Sequence, residues 1–435
     1  MGEKDRENRE QEQKNFEFMK EQIKERPINK KKLVRRMIIT ASMAVLFGLI
    51  ACVTVLGLEP VINNWLYPEE PAENISFPEE KEEILPEDMV LDDAELEETQ
   101  AEEESSEAEV DSLQMISDSY DSLRAIADEA SESLVTVTGI TSNTDWFANV
   151  YENKDQTPGL ILADNKKELL VLTNRSALNE AESVRVTLGD GTQLEASVKS
   201  DDAVTGILIL AISKDVIPAD VRDNIMIARL GSSNGQKLTA SPVIALGSPM
   251  GVSGSIMYGI ITSNGNALNL PDRRCKLMTT DICGSKAASG VLINLNGEVV
   301  GIINQNYNDA GLENMIAAIG ISELKPTIER MSNGQPLCCV GITGMDVTAE
   351  ANKELGVPYG AYVTEVEMDS AAMNAGIQSG DVIVGVGEIE ISDYEDYVKT
   401  IRKLTPETTE EFSIMRQGHD GYTPMTFQIK IGEVE

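Results

Sequence analysis

From residue 131 onward, short apolar runs alternate with Gly, Asn and Asp: LVTVTGI, GLILAD, LLVLTN, VRVTLGDGTQLEASV, ILILAI, SPVIALGS, GIITSNG and GVLINLNGEVVGII. Many short runs broken by turn formers predict an all-β barrel or sandwich. VRVTLGDGTQLEASV is the clearest hairpin, with Gly189-Asp190-Gly191 as the turn and apolar positions alternating on either side. LINLNGEVVGII repeats the device around Asn296-Gly297. After Gln335 the pattern changes. GAYVTEVEMDSAAMNAGIQSGDVIVGVGEIEI reads as strand, short helix, strand; DYEDYVKTIRKL as a helix; EFSIMRQGHDGYTPMTFQIKI as a hairpin. These make a small α+β module spanning 335–433. Upstream, Leu113, Ile116, Tyr120, Leu123, Ile126 and Ala127 recur at helical spacing, which predicts a helix over 113–130 packed on the following domain.

Met37–Leu58, MIITASMAVLFGLIACVTVLGL, is a different kind of segment: 22 residues without a charge, enough to cross a bilayer as a helix. Lys30, Lys31, Lys32, Arg35 and Arg36 stand just before it. The positive-inside rule then puts residues 1–36 in the cytoplasm and everything after Leu58 outside, so membrane contact runs through 37–58. The run is long for a signal peptide and no A-x-A site follows it. Leu49-Ile50-Ala51-Cys52 resembles a lipoprotein processing box, and that alternative stays open.

Charge sharpens the division. The 435-residue chain carries a formal net charge of −37, which argues against nucleic acid as a partner, since phosphates are met by Lys and Arg. Residues 1–36 hold 12 Lys/Arg against 8 Asp/Glu, whereas 69–111 hold 20 Asp/Glu against Lys81 alone. With Pro60, Pro68, Pro71, Pro78 and Pro86, the 59–112 stretch reads as an acidic disordered stalk. Five cysteines and one histidine give no zinc spacing, and no metal or cofactor is expected. A Cys275–Cys283 disulfide is one option in an oxidising compartment.

Motifs within the β-rich region carry a resemblance. Leu172-Thr173-Asn174, the D-x-x-T of Asp202–Thr205, VIALGSPMG at 243–251, YGIITS at 258–263, TTD at 279–281 and LINLNGEVVGI at 292–302 occur in the order found in HtrA/Deg serine proteases. The chain resembles that family over 131–325, within a trypsin-like double β-barrel domain bounded at 113–330, and over 335–433, as its PDZ domain. The implied fold is mostly β: two barrels and an α+β PDZ module behind an N-terminal transmembrane helix.

The resemblance implies a serine nucleophile, a histidine base and an orienting aspartate. Ser176 stands at the family's histidine position and Gly206 at its aspartate position. The nucleophile is ambiguous within Lys286-Ala287-Ala288-Ser289-Gly290-Val291-Leu292. Counting from Asp281 selects Ser289; counting back from Leu292-Ile293-Asn294 selects Ala288. Lys286 or Ala287 replaces the glycine that shapes the family's oxyanion hole. Two readings follow: a pseudoprotease, or an endopeptidase using Ser289 as residual nucleophile, with Lys286 as a substitute base.

In the PDZ-like part, Tyr359-Gly360-Ala361-Tyr362 falls where the resemblance implies the carboxylate-binding loop. Strand Tyr362–Val366 would pair with an extended peptide, with Val363 in contact and helix Tyr394–Leu404 as the other wall. The expected partners are peptide C-termini or unfolded proteins. The resemblance also implies a homotrimer; hetero-assembly with an active relative is a further hypothesis that no sequence signature marks.

Overall fold

A computed structural model of the chain describes residues 37, 42, 43, 46, 72–78, 107–144, 150–175, 178, 181–235, 238–308 and 312–434. The predicted membrane segment lies outside the described residues except at Met37, Ser42, Met43 and Leu46, which are helical and exposed. Among the described residues no helix is long and apolar enough to cross a membrane.

Twelve strands close into two six-stranded barrels. The first contains β1 (Leu134–Thr144), β2 (Val150–Asp164), β3 (Glu168–Asn174), β4 (Ser183–Thr187), β5 (Gln193–Asp202) and β6 (Ile207–Ser213), in the order β1-β2-β3-β6-β5-β4. The second contains β7 (Pro242–Ser248), β8 (Ser255–Leu270), β9 (Arg273–Cys283), β10 (Ser289–Ile293), β11 (Val299–Asn304) and β12 (Met315–Gly320), in the order β10-β11-β12-β9-β8-β7. The uninterrupted apolar runs have a physical reason. Along β3, Leu169 and Val171 fill the first barrel while Leu170 and Leu172 face the seam between the barrels. Along β7, Val243 and Ala245 fill the second barrel while Ile244 and Leu246 meet the same seam. A strand buried on both faces has no polar alternation to show.

The helix Glu107–Ser131 starts earlier than its periodicity predicts, and among its described side chains those that join the core lie in its C-terminal half. Leu123, Ile126 and Ala127 join the seam; Leu113, Ile116 and Tyr120 stay exposed, with Tyr120 edge-on to Tyr258. Part of the expected stalk is also docked. Residues 72–78 lie extended on the barrels: Glu73 N–H donates to Asn165 O (3.1 Å), and Ile75 and Phe77 pack on the seam cluster. The Asn333 side chain brackets Ile75, accepting from its N–H and donating to its carbonyl, both at 2.9 Å. Cys275 and Cys283 are free thiols. They lie on the single strand β9, eight residues and so about 26 Å apart at strand rise, far beyond disulfide reach.

Helix Ile321–Ser332 leaves the second barrel and leads into the α+β module. Its main sheet runs β14 (Ile342–Asp346), β15 (Ala361–Val366), β16 (Val382–Val386), β18 (Thr409–Gly418), β19 (Gly421–Lys430), with β17 (Ile389–Glu390) on β16. A small pair joins β13 (Cys338–Cys339) to β20 (Gly432–Glu433). Helix Tyr394–Lys403, capped by Asp393 through the Asp396 N–H (2.7 Å), covers the sheet with Tyr394, Tyr397, Val398 and Ile401.

Candidate functional site

The cleft between the barrels is built from three chain ends. Arg175, just after β3, donates its N–H to Gly206 O (3.0 Å), which brings the end of β3 beside the turn that precedes β6. Ser176 itself lies outside the described residues. Asp202 is fully buried and accepts from Thr205 Oγ1 (2.7 Å) and Val204 N–H (3.2 Å), so the D-x-x-T turn folds around its own carboxylate. Asn304, at the end of β11 and paired in register with Ser289, reaches Thr205 O with Nδ2 (3.3 Å). Gly206 has φ +73, and a Cβ there would meet nothing nearer than Asn304 Nδ2 at 3.7 Å.

Ser289 opens β10, opposite Ser248 on one side and Asn304 on the other. It is half-buried and shares its strand face with Val291 and Ile293, which face the seam. Ala288 is buried with the interior of the second barrel, and its N–H is spent on Ser285 O (3.0 Å). Lys286 points the other way. Its side chain is 81% exposed and its ammonium pairs with Glu313 at 3.1 Å, so the Lys286–Ser289 dyad is not formed. Neither Lys286 nor Ala287 takes a positive φ. The cleft contains no imidazole: the chain's one histidine, His419, stands in the β18–β19 turn, 99% exposed beside Asp420.

The expected peptide-binding strand occupies a different position in the sheet. β15 is hydrogen-bonded to β14 on one side and β16 on the other, so it has no free edge for a peptide over Ala361 and Tyr362. Val363 is fully buried, and its N–H and carbonyl bond Asp381 O and Gly380 N–H. Ala361 is buried, and Gly360 (φ +150) abuts Ile383 O, which a Cβ would approach to 2.5 Å. Tyr359 is exposed and Tyr362 half-buried. The sheet ends in β14 on one side and β19 on the other, and of these two β14 faces helix Tyr394–Lys403.

At the head of β14 lies a cradle that sequence reasoning missed. The N–H groups of Val340, Gly341 and Ile342 converge on one point, an anion-binding nest. Gly341 makes it: φ is +85, and a Cβ would sit 2.3 Å from Ser370 Cβ. The point is occupied by Asp272, from the two-residue turn between β8 and β9. Asp272 Oδ2 accepts from Val340 N–H (2.6 Å) and Gly341 N–H (2.7 Å); Oδ1 accepts from Ile342 N–H (3.3 Å) and Tyr397 Oη (2.5 Å). Burial, followed by the charge of Asp272, holds the Tyr397 phenol well above its ordinary pKa. The available signal was a glycine between apolar residues at the start of the module's first strand, Val340-Gly341-Ile342.

These features define a class: a trypsin-like peptidase domain followed by a PDZ domain. A Trypsin-like peptidase domain model matches residues 159–302 and a PDZ domain model residues 340–430, and relatives that the chain matches are named as HtrA and DegP-like serine proteases. The chain is 25% identical over 346 residues to the serine protease Do-like HtrA of Bacillus subtilis, covering 73% of this chain and 74% of that protein. It is 28% identical over 262 residues to a probable periplasmic serine endoprotease, DegP-like, of Pseudomonas fulva, covering 58% of this chain and 52% of that one. The chain thus spans about half the length of the DegP-like relative. Among solved structures, the HtrA-type protease AlgW with decapeptide superposes with a TM-score of 0.52 at 20% identity, over 71% of this chain and 97% of that one. That likeness shows the fold alone.

Proposed function

We propose that this chain is a membrane-anchored HtrA-type pseudoprotease that binds peptide C-termini or unfolded proteins outside the membrane through its PDZ domain. The observation that carries the reading is the cleft: Gly206 supplies no carboxylate, and the sole imidazole of the chain is exposed on the last hairpin. Without base and orienter, a serine hydroxyl near neutral pH has nothing to take its proton. The PDZ reading rests on β14, an edge strand beside a helix with an N–H nest at its head, which suits β-augmentation and carboxylate capture. AlgW, with its decapeptide, lends it support. The anchor rests on the uncharged 37–58 segment and its basic flank.

A second reading is an active endopeptidase using Ser289. It is favoured by the position of Ser289 on the seam face and by relatives named as serine proteases. Casein digestion by the purified chain, run beside Ser289→Ala and with a fluorophosphonate probe, separates the two. The pseudoprotease reading expects no cleavage and no labelling. Cleavage that disappears in Ser289→Ala sinks it. The same chain expressed in bacteria is expected in carbonate-washed membranes; recovery in the soluble fraction removes the anchor.

A further inference from the structure

The geometry points to Asp272 as an internal ligand of the PDZ domain: the β8–β9 turn of the second barrel occupies the peptide groove, and a free peptide C-terminus must displace it. The inference rests on the peptide-binding reading above and adds its regulation.

The mimicry has two parts. A C-terminal residue captured by such a site offers a carboxylate to the N–H nest and its own N–H to the adjoining strand. Asp272 offers both from one residue. Its carboxylate takes the N–H groups of Val340, Gly341 and Ile342, and its backbone N–H donates to Ile342 O at 2.9 Å. The turn conformation makes this possible: Asp272 sits at φ +53, a left-handed state that aspartate tolerates better than most residues. Leu270, two residues earlier, is engaged too: Tyr394 Oη lies 2.7 Å from Leu270 O and 3.0 Å from Ile342 O, its single proton serving one of them at a time. Asp272 is 1% exposed, so no incoming carboxylate reaches the nest while the turn is seated.

Among the described residues, the four hydrogen bonds to this carboxylate come from the PDZ side, over sequence separations of 68 to 125 residues. The neighbouring Arg273 points back into the barrels, with Nε 3.9 Å from the buried Asp202 Oδ2 beside the degenerate cleft. Release of the turn therefore disturbs the wall of the cleft as well as opening the groove.

The test uses the full chain in detergent, with hydrogen exchange across residues 338–344 and binding of a fluorescent decapeptide ending in valine, as free acid and as amide. In the wild-type chain the amides of Val340, Gly341 and Ile342 are expected to be protected, and in Asp272→Ala to exchange rapidly. The free acid is expected to bind Asp272→Ala about tenfold more tightly than wild type, as removal of an internal competitor requires, with no gain for the amide. Asp272→Asn and Tyr397→Phe, which keep the turn and the core ring, give smaller changes of the same sign if Asp272→Ala fails to fold. Unchanged protection in every variant overturns the internal ligand, whatever the peptides do. Altered protection with no peptide bound to any variant overturns the displacement and the peptide-binding reading with it, and leaves Asp272 as a domain clamp.

Discussion

Gly290 and Gly206 both take positive φ, for opposite reasons. At Gly290 (φ +127) a Cβ would sit 2.0 Å from Leu246 O, because β10 and β7 approach too closely for any side chain. Gly290→Ala is expected to cost about 3 kcal/mol or more, measured as a drop in urea midpoint, since backbone must move on both strands. At Gly206 the space is open, and aspartate accepts the left-handed backbone at about 1 kcal/mol. Gly206→Asp should therefore fold, and should stay silent towards casein because no histidine awaits orientation. On the pseudoprotease reading, the absence of a carboxylate at 206 is a matter of chemistry and not a demand of the backbone.

The strands were legible because turn chemistry punctuates them. Gly189-Asp190-Gly191 forms the β4–β5 turn as read, with Gly191 at φ +89 and Asp190 accepting from Thr192 N–H (2.8 Å). Strand order was not legible. Tyr359-Gly360-Ala361-Tyr362 looks like a carboxylate-binding loop locally, yet what decides is which strand lies at the sheet edge, and that depends on pairings between distant segments. Asp272 was hidden for the same reason: one acidic residue in a Pro-Asp turn reads as solvated until its partners 68 to 70 residues away come into view. The docked strap had only Ile75 and Phe77 to announce it within an acidic stretch. Within the PDZ sheet, Arg416 on β18 clamps the turn before β16. Its Nε and Nη2 reach the two oxygens of Asp381 at 2.7 Å, and Nη2 also reaches Gly376 O. Asp381 is 1% exposed. Arg416→Met strands a buried carboxylate and is expected to cost about 3–5 kcal/mol, with loss of amide protection in β16 and β18 ahead of the barrels.

Across the whole molecule, barrels and PDZ domain are tied by polar bonds whose strength depends on pH. Burial pushes the Asp346 carboxyl up, but the hydrogen bond and charge of Arg274 (2.8 Å) together with the Tyr394 N–H bring it below its ordinary value of 3.8. A folded pKa below the unfolded one means stability that is present above the ordinary aspartate range and lost as pH falls through the folded value. Glu323 has the opposite sign. Burial raises it, with Lys276 opposing, so its neutral form is favoured on folding and stability declines as pH rises from 4.5 through the folded value. Arg274→Gln is expected to flatten the acid limb of a urea-midpoint profile below the ordinary aspartate range. An acid limb as steep as in wild type would show that the interdomain pair contributes nothing to it.

The bracket around Ile75 gives the molecule a mechanical property. Asn333 caps the helix that ends the barrels, and Gly334-Gln335-Pro336 lead directly from it into the PDZ domain. Tension arriving through residue 72 first meets the Glu73 N–H bond to Asn165 O in the β2–β3 turn, and then the two amide bonds at Asn333. A tug on the N-terminal side is thus shared between the wall of the first barrel and the segment that joins the barrels to the PDZ domain.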